Sequence, residues 1–318
     1  MLSFLQPVLR PTLGQVRKFA LAGIIANTVI MSTGAAVRLS SSGLGCPDWP
    51  RCSKADVVAS HNAGQTLLNT WIEFGNRLLN FPLVIITGLV FIAAWQLKPR
   101  RKDLVWLAAI QPLGVFAQAA VGGIVVLTKL NPAAVSIHFM LSASLVAASV
   151  LLYARCTDFT YVGPVRHELQ VMSGVLVAVT AAMLAAGTVV TGTGPLAGHA
   201  DTPRYHLPLE GVTQFHADIG WLLGGITVAL VIGLRISGAG QRAMRLGWTV
   251  LIWLGVQGAI GYIQYFNHLP AGLVWVHVTS AVIFWIQVLW LFFTLSNSTF
   301  IVQQQVTVPQ REAETAGR

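Results

Sequence analysis

Apolar and polar positions divide the chain into eight apolar runs joined by mostly short polar connections. The runs cover roughly 18–38, 70–97, 104–128, 133–154, 169–190, 211–234, 246–266 and 271–295. A membrane-spanning helix needs about 20 mostly apolar residues, and each run is of that order. A membrane β-barrel would instead need short segments of strict alternation, and none occur. The pattern therefore predicts an all-α membrane protein with eight transmembrane helices in a compact bundle. Beyond the last run, residues 296–318 turn polar and read as a tail without fixed structure.

The runs repeat. QAAVGGIVVLTKLNPAAVSIHFMLSA at 118–143 is echoed by QGAIGYIQYFNHLPAGLVWVHVTSA at 257–281, and the step from Gln118 to His138 equals that from Gln257 to His277, 20 residues. MSTGAAVRLSSSGLG at 31–45 likewise resembles LAAGTVVTGTGPLAG at 184–198. A unit of four helices is even-numbered, so both copies share one orientation, related by an axis along the membrane normal. The expectation is two pseudo-symmetric four-helix bundles, 18–155 and 168–295, flanked by an N-terminal segment 1–17 and the tail 296–318.

Composition agrees with a membrane solvent. Of the 318 residues 54% are hydrophobic and 10% charged, against about 25% charged in soluble domains; mean hydropathy is +0.67. The net charge of +9 reflects topology rather than nucleic acid. Arg10, Arg17, Lys18, Lys98, Arg100, Arg101, Lys102, Arg155, Arg166, Arg235, Arg242, Arg245, Arg311 and Arg318 are 14 of the 20 basic residues and fall on one side. The other side holds Arg38, Arg51, Lys54, Lys129 and Arg204. Positive charge accumulates inside, so both termini are expected in the cytoplasm, in a prokaryotic plasma membrane rather than a mitochondrial inner one. The first segment is read as cytoplasmic rather than as a cleavable signal.

This orientation places Cys46 and Cys52, which flank Pro-Asp-Trp-Pro-Arg, in an outer loop. Disulfides persist in that compartment, which favours a bridge over free thiols or a metal pair. Cys156 lies at the cytoplasmic edge and reads as a plain thiol.

Ionisable groups within spans are functional candidates. His138, His216 and His277 fall in helices four, six and eight, each shortly after an outer loop, and so at similar depth. A lone histidine would read as structural. Three at matched depth, two of them repeat-equivalent, point to a proton relay, a metal centre or a haem. Gly220 and Gly224 follow His216 on one face and would let a flat ring approach, which favours haem held by axial histidines. The second span carries Asn69, Glu73, Asn76, Arg77 and Asn80 on one helical face. Glu73 and Arg77 have the spacing of an ion pair. Either they neutralise each other, or Glu73 serves a reaction while Arg77 meets an anionic group such as a haem propionate. WIEFGNR at 71–77 faces VTQFHAD at 212–218 across the repeat, with Asn76 roughly where His216 stands.

SGLGCPDWPRC at 42–52, IEFGNR at 72–77, NPAAVSIH at 131–138, GTVVTGTGPLAG at 187–198, QFHAD at 214–218 and VWVH at 274–277 resemble the haem A synthases of bacteria and mitochondria, over nearly the whole chain. The resemblance implies an oxidoreductase that converts haem O to haem A for the terminal oxidase, oxidising a ring methyl to a formyl group by two successive hydroxylations. It implies a haem b cofactor with His216 and His277 as axial ligands in the C-terminal bundle. It further implies haem O in the N-terminal bundle at His138, Glu73 as the essential carboxylate, and Cys46 and Cys52 as the paired cysteines. A haem O synthase and terminal-oxidase assembly factors are the implied partners. The chain departs from the family at Asn76, where the common pattern has histidine. Asn is a far weaker iron ligand, so haem O is held by His138 alone or with help from another group, such as His61 of the outer loop. Because Glu73 is kept, the departure reads as a variant rather than a dead enzyme.

Two other classes compete. A b-type cytochrome would carry electrons without altering its haem, and Glu73 on a polar stripe speaks for the enzyme instead. A transporter would also carry repeats and intramembrane polar groups, but near the midplane, on broken helices.

Overall fold

The computed structural model describes residues 10–54, 56–59, 66–157 and 165–315, of which 297–315 by backbone alone. Every regular element among the described residues is an α-helix: α1 Leu13–Leu39, α2 Leu67–Leu78, α3 Asn80–Gln96, α4 Lys102–Leu127, α5 Pro132–Arg155, α6 His167–Thr193, α7 Leu209–Ile236, α8 Gln241–Phe266 and α9 Ala271–Thr315. α2 and α3 form one stretch, Leu67–Gln96, so eight stretches are long and apolar enough to cross a membrane. Their limits lie within about five residues of those read from hydropathy.

Local chemistry sets the boundaries. α1 begins at a capping box in which Thr12 Oγ1 accepts from Gln15 N–H at 3.3 Å and Gln15 Oε1 accepts from Thr12 N–H at 2.7 Å. α5 begins with Asn131 capping the Ala133 N–H at 3.0 Å and Pro132 in the first turn. The break at Leu79 follows from Pro82, which lacks an N–H and whose ring crowds the Leu78 carbonyl four residues back. α9 is the element that departs from expectation: it continues to Thr315, through the segment read as an unstructured tail. Residues 297–308 contain neither Gly nor Pro, so no backbone feature ends the helix at the membrane edge.

The turns α4–α5 and α8–α9 match bond for bond. Lys129 and Leu130 adopt positive φ, as do His268 and Leu269. Leu130 N–H donates to the Val125 carbonyl at 2.8 Å, and Leu269 N–H to the Gln264 carbonyl at 2.8 Å. These bonds satisfy carbonyls that a helix end leaves open, which offsets the strain of left-handed non-glycine residues. The repeated sequence thus forms a repeated turn.

α1, α3, α4 and α5 pack as a ring, α3 on α1 and α4, α5 on α4 and α1. α6, α7, α8 and α9 form a second ring, with α9 closing onto α6. The rings meet where α9 packs on α1 and α5, and α5 on α6. Three apolar clusters follow. One, around Val16, Val90, Ala93, Leu104, Ala108 and Leu152, lies at the end of the first ring where α1 and α4 begin. Its counterpart in the second ring centres on Leu176, Leu223, Leu230, Leu234, Val288 and Leu291. A third, around Ile24, Val146, Leu184, Trp285 and Leu289, fills the seam. One end of the molecule is thus densely packed, and the histidines and Glu73 lie toward the other. Exposed Trp106, Leu113, Phe116 and Ile236 face outward, where lipid is their natural solvent. Lipid is as apolar as leucine, so close packing rather than water exclusion holds such helices together. An apolar groove lined by Val171, Met172, Val175, Trp221 and Leu222 runs along the flank of α6 and α7, away from the histidines.

Candidate functional site

His138 of α5, His216 of α7 and His277 of α9 each lay the imidazole against a glycine of a neighbouring helix. A Cβ on Gly122 of α4 would stand 3.4 Å from His138 Cε1, one on Gly187 of α6 3.2 Å from His216 Cε1, and one on Gly261 of α8 3.4 Å from His277 Cε1. Side chains at these positions would press on the rings. The fourth member of the pattern is Gly34 of α1, whose Cβ would lie 3.9 Å from Asn76 Nδ2. Gly34 and Gly187 correspond in the repeat, as do Gly122 and Gly261, each four residues after its glutamine. Asn76 therefore occupies in the first ring the place of His216 in the second.

His216 and His277 face each other with ring centroids 6.4 Å apart and planes at 73°. Two imidazoles sharing one metal through bonds of about 2 Å have centroids roughly 6 Å apart, so the pair has the separation of ligands on opposite sides of one iron. Nδ1 of His277 and of His138 is buried without a hydrogen-bond partner, the His216 ring lies against the Met183 backbone, and no carboxylate forms an ion pair with any of the three rings among the described residues. Of the two glycines that follow His216 on its face, Gly220 is covered by Met183, whose Cε would stand 3.4 Å from a Cβ there, and only Gly224, two turns away, has nothing within 4 Å. The facing, buried rings fit a haem, with His216 and His277 able to serve as its axial ligands. Two of the three histidine helices, α5 and α9, are braced from the helix before them. Gln118 Nε2 donates to Ser142 Oγ at 2.9 Å and Gln257 Nε2 to Ser280 Oγ at 2.7 Å, while those hydroxyls lie 3.1 and 3.2 Å from the His138 and His277 carbonyls.

Glu73 and Arg77 sit beneath the outer loop. Glu73 is 5% exposed and accepts from Arg77 Nε at 3.1 Å, from Arg77 Nη2 at 2.5 Å and from the Cys46 N–H at 2.8 Å. Arg77 also donates from Nη1 to the Asp48 and Arg51 carbonyls at 2.9 and 3.2 Å, and from Nη2 to the Cys46 carbonyl at 2.6 Å. A guanidinium has five N–H donors, and the protein occupies all of them. Arg77 is thus committed to the loop rather than left open to an outside anion such as a propionate. Cys46 and Cys52 are joined in a disulfide. Gly45 lets this loop touch α2, since a Cβ there would stand 2.6 Å from the Asn69 carbonyl oxygen. Trp49 at the loop tip lies over Gly123 of α4.

The structure brings Glu73, Arg77, Cys46 and Cys52 into one cluster and His216 and His277 into another. Asn76 joins Thr33 and Gly34, with the Thr33 hydroxyl 2.7 Å from Asn76 Oδ1. His61 lies outside the described residues. Sequence reasoning missed the four glycines, although two of them recur at a fixed step from Gln118 and Gln257. It also missed Arg38, which crosses between rings: its Nε donates to the Leu196 carbonyl at 3.1 Å and its Nη2 to the Thr191 carbonyl at 2.9 Å. The two sites touch across the seam, where Trp275 Nε1 donates to the Ser32 carbonyl at 3.0 Å and Ser32 Oγ meets Thr279 Oγ1 at 2.8 Å.

The model of the COX15-CtaA family, described as cytochrome oxidase assembly protein, matches residues 17–289, through both rings and both clusters. The chain belongs to the COX15-CtaA family. Among curated relatives, it is 32% identical over 148 residues to the "Heme A synthase" of Lysinibacillus sphaericus (strain C3-41), covering 44% of this chain and 46% of that protein. It is 32% identical over 118 residues to that of Geobacillus kaustophilus, covering 36% and 34%, and 31% identical over 147 residues to that of Shewanella oneidensis, covering 42% and 43%. The chain thus spans a third to somewhat under half of the length of these relatives. Within the COX15-CtaA family match lie all the intramembrane histidines, Glu73 and the cysteine loop.

Proposed function

We propose that this COX15-CtaA chain is a haem A synthase, taking haem O as substrate and oxidising one ring methyl to a formyl group. The reading rests above all on the facing pair His216 and His277, 6.4 Å apart, in a chain whose relatives carry that name. The first hydroxylation gives a hydroxymethyl group, and the second a geminal diol that loses water to leave the formyl; each adds one oxygen from water and releases two protons and two electrons, the electrons leaving through the haem b site to an acceptor outside the chain. The bundle 168–295 holds haem b between His216 and His277. The bundle 18–155 receives haem O at His138. A bound haem b supplies one-electron redox chemistry.

The chain's own residues do the rest. The glycines fix the imidazole edges, and the Gln–Ser braces hold the helices at the turn below. Glu73 is the buried carboxylate of the second span and acts on the reacting methyl, either opposing developing positive charge or taking a proton from an attacking water. Its bonds to Arg77 and Cys46 support a second role, as the clasp of the disulfide loop over the site. The chain sits in the plasma membrane with both termini cytoplasmic, beside a haem O synthase that supplies its substrate and the oxidase assembly factors that receive its product.

The test is mass spectrometry of haems extracted from membranes expressing the chain with a haem O source. Haem A or its hydroxylated precursor is expected. Only haem B and unaltered haem O would sink the synthase and favour a b-type electron carrier.

A further inference from the structure

The repeat places an asparagine in the first ring where the second has a ligand-type histidine, and the surroundings are adjusted to it. Gly34 stands to Asn76 as Gly187 stands to His216. The residue before each glycine differs in step: Thr33 in the first ring, Ala186 in the second. The Thr33 hydroxyl has three acceptors in reach, the Val29 and Ile30 carbonyls at 3.0 and 3.2 Å and Asn76 Oδ1 at 2.7 Å, and Oδ1 is the nearest. An alanine could not supply that bond, and a histidine would not need it.

The bond decides what Asn76 can offer. Its Oδ1 accepts from the Thr33 hydroxyl, which leaves the Nδ2 amide, 3.9 Å from where a Cβ on Gly34 would stand, as the group with hydrogens to donate. An amide NH₂ is a donor only and has no lone pair for iron, unlike imidazole. Asn76 thus cannot serve as an axial ligand as His216 can, yet it can donate a hydrogen bond to a small acceptor at the same place. His138, with its Gly122 cradle and Gln118–Ser142 brace, keeps the full set of features that His277 has.

We propose that the first ring binds its haem through His138 alone, leaving the opposite axial face open to a diatomic ligand, with the Asn76 amide as the hydrogen-bond donor on that face. This rests on the haem-binding reading of the first ring. It makes the two sites unlike: one six-coordinate and closed, one five-coordinate and open.

The experiment uses the full chain, saturated with haem B, reduced with dithionite and titrated with carbon monoxide. A bis-histidine haem has no free axial position, so about one carbon monoxide per two haems should bind. Asn76→His should remove that binding and convert the site to the low-spin spectrum. Should Asn76→His alone fold poorly, Asn76→His combined with Thr33→Ala rebuilds the second ring's own pairing and should behave the same way. Asn76→Leu should keep carbon monoxide binding but raise the infrared C–O stretch, because the donor is gone. A saturated, six-coordinate chain indifferent to carbon monoxide overturns the proposal and leaves the synthase reading standing. Undiminished binding in both histidine variants overturns it too, and an unmoved C–O stretch in Asn76→Leu overturns the assignment of Asn76. Failure of the first ring to take up any haem overturns both readings together.

Discussion

Arg77 Nη2 donates to the Cys46 carbonyl at 2.6 Å while the same nitrogen binds Glu73. One guanidinium therefore ties the disulfide loop to the carboxylate of the second span. Its planar fork makes this possible, and a lysine ammonium has neither the reach nor the geometry. Removing one partner of a buried ion pair costs about 3–5 kcal/mol. Arg77→Ala should therefore lower the thermal midpoint in detergent markedly and open the 42–52 loop to protease. Arg77→Lys should recover little of either. A loop as resistant as wild type in both variants would show that the clasp is not what holds it.

The two roles of Glu73 separate by substitution. Glu73→Ala should leave the second-ring haem spectrum intact and abolish formyl product. Glu73→Gln retains an acceptor for Arg77 but sets an amide donor against the Cys46 N–H or loses that bond. If Glu73 acts on the substrate, Glu73→Gln loses product while the loop stays protease-resistant. A parallel loss of product and loop protection would assign it to the clasp.

His216→Ala and His277→Ala should each remove the low-spin haem b signal from purified chain. Retention of an unaltered spectrum in either variant would refute that ligation.

The glycine cradles make a sharper demand. Gly187→Val sets a branched side chain where a Cβ would already be 3.2 Å from His216 Cε1, so the imidazole must move. Haem retained by the second ring should fall, and the ligand geometry read by electron paramagnetic resonance should shift. Gly255→Ala, on the exposed face of α8 with nothing within 4 Å of its Cβ, should be silent. An unperturbed signal in Gly187→Val would mean that the ring is not held by α6.

Cys156, outside the spans, is pushed up to about 11 by burial first, with the charge of Asp103 adding to it and those of Arg101 and Arg17 opposing. A raised thiol pKa keeps the protonated form, and the thiolate is the nucleophile. Maleimide labelling of the folded chain should thus be slow at pH 8 and accelerate only as the pH nears 11. Rapid labelling at pH 8 would contradict the buried placement.

The sequence by itself determined the eight spans, the absence of a barrel pattern, the common depth of the three histidines and the repeat that makes His138 and His277 counterparts. Each is a local property, carried by hydrophobicity summed over a helix length or by spacing along one chain, and packing does not alter it. Even there the limits were local: polarity after 296 says that a segment leaves the membrane, while the absence of Gly and Pro from 297–308 lets the helix continue past the membrane edge. Only the tertiary structure decided who touches whom. That Arg77 spends every donor on the loop, that glycines of α1, α4, α6 and α8 back the four side chains, and that Thr33 engages Asn76 all depend on how helices rotate about their axes and approach. Those angles are set by close packing of many side chains at once, which hydropathy and spacing do not encode.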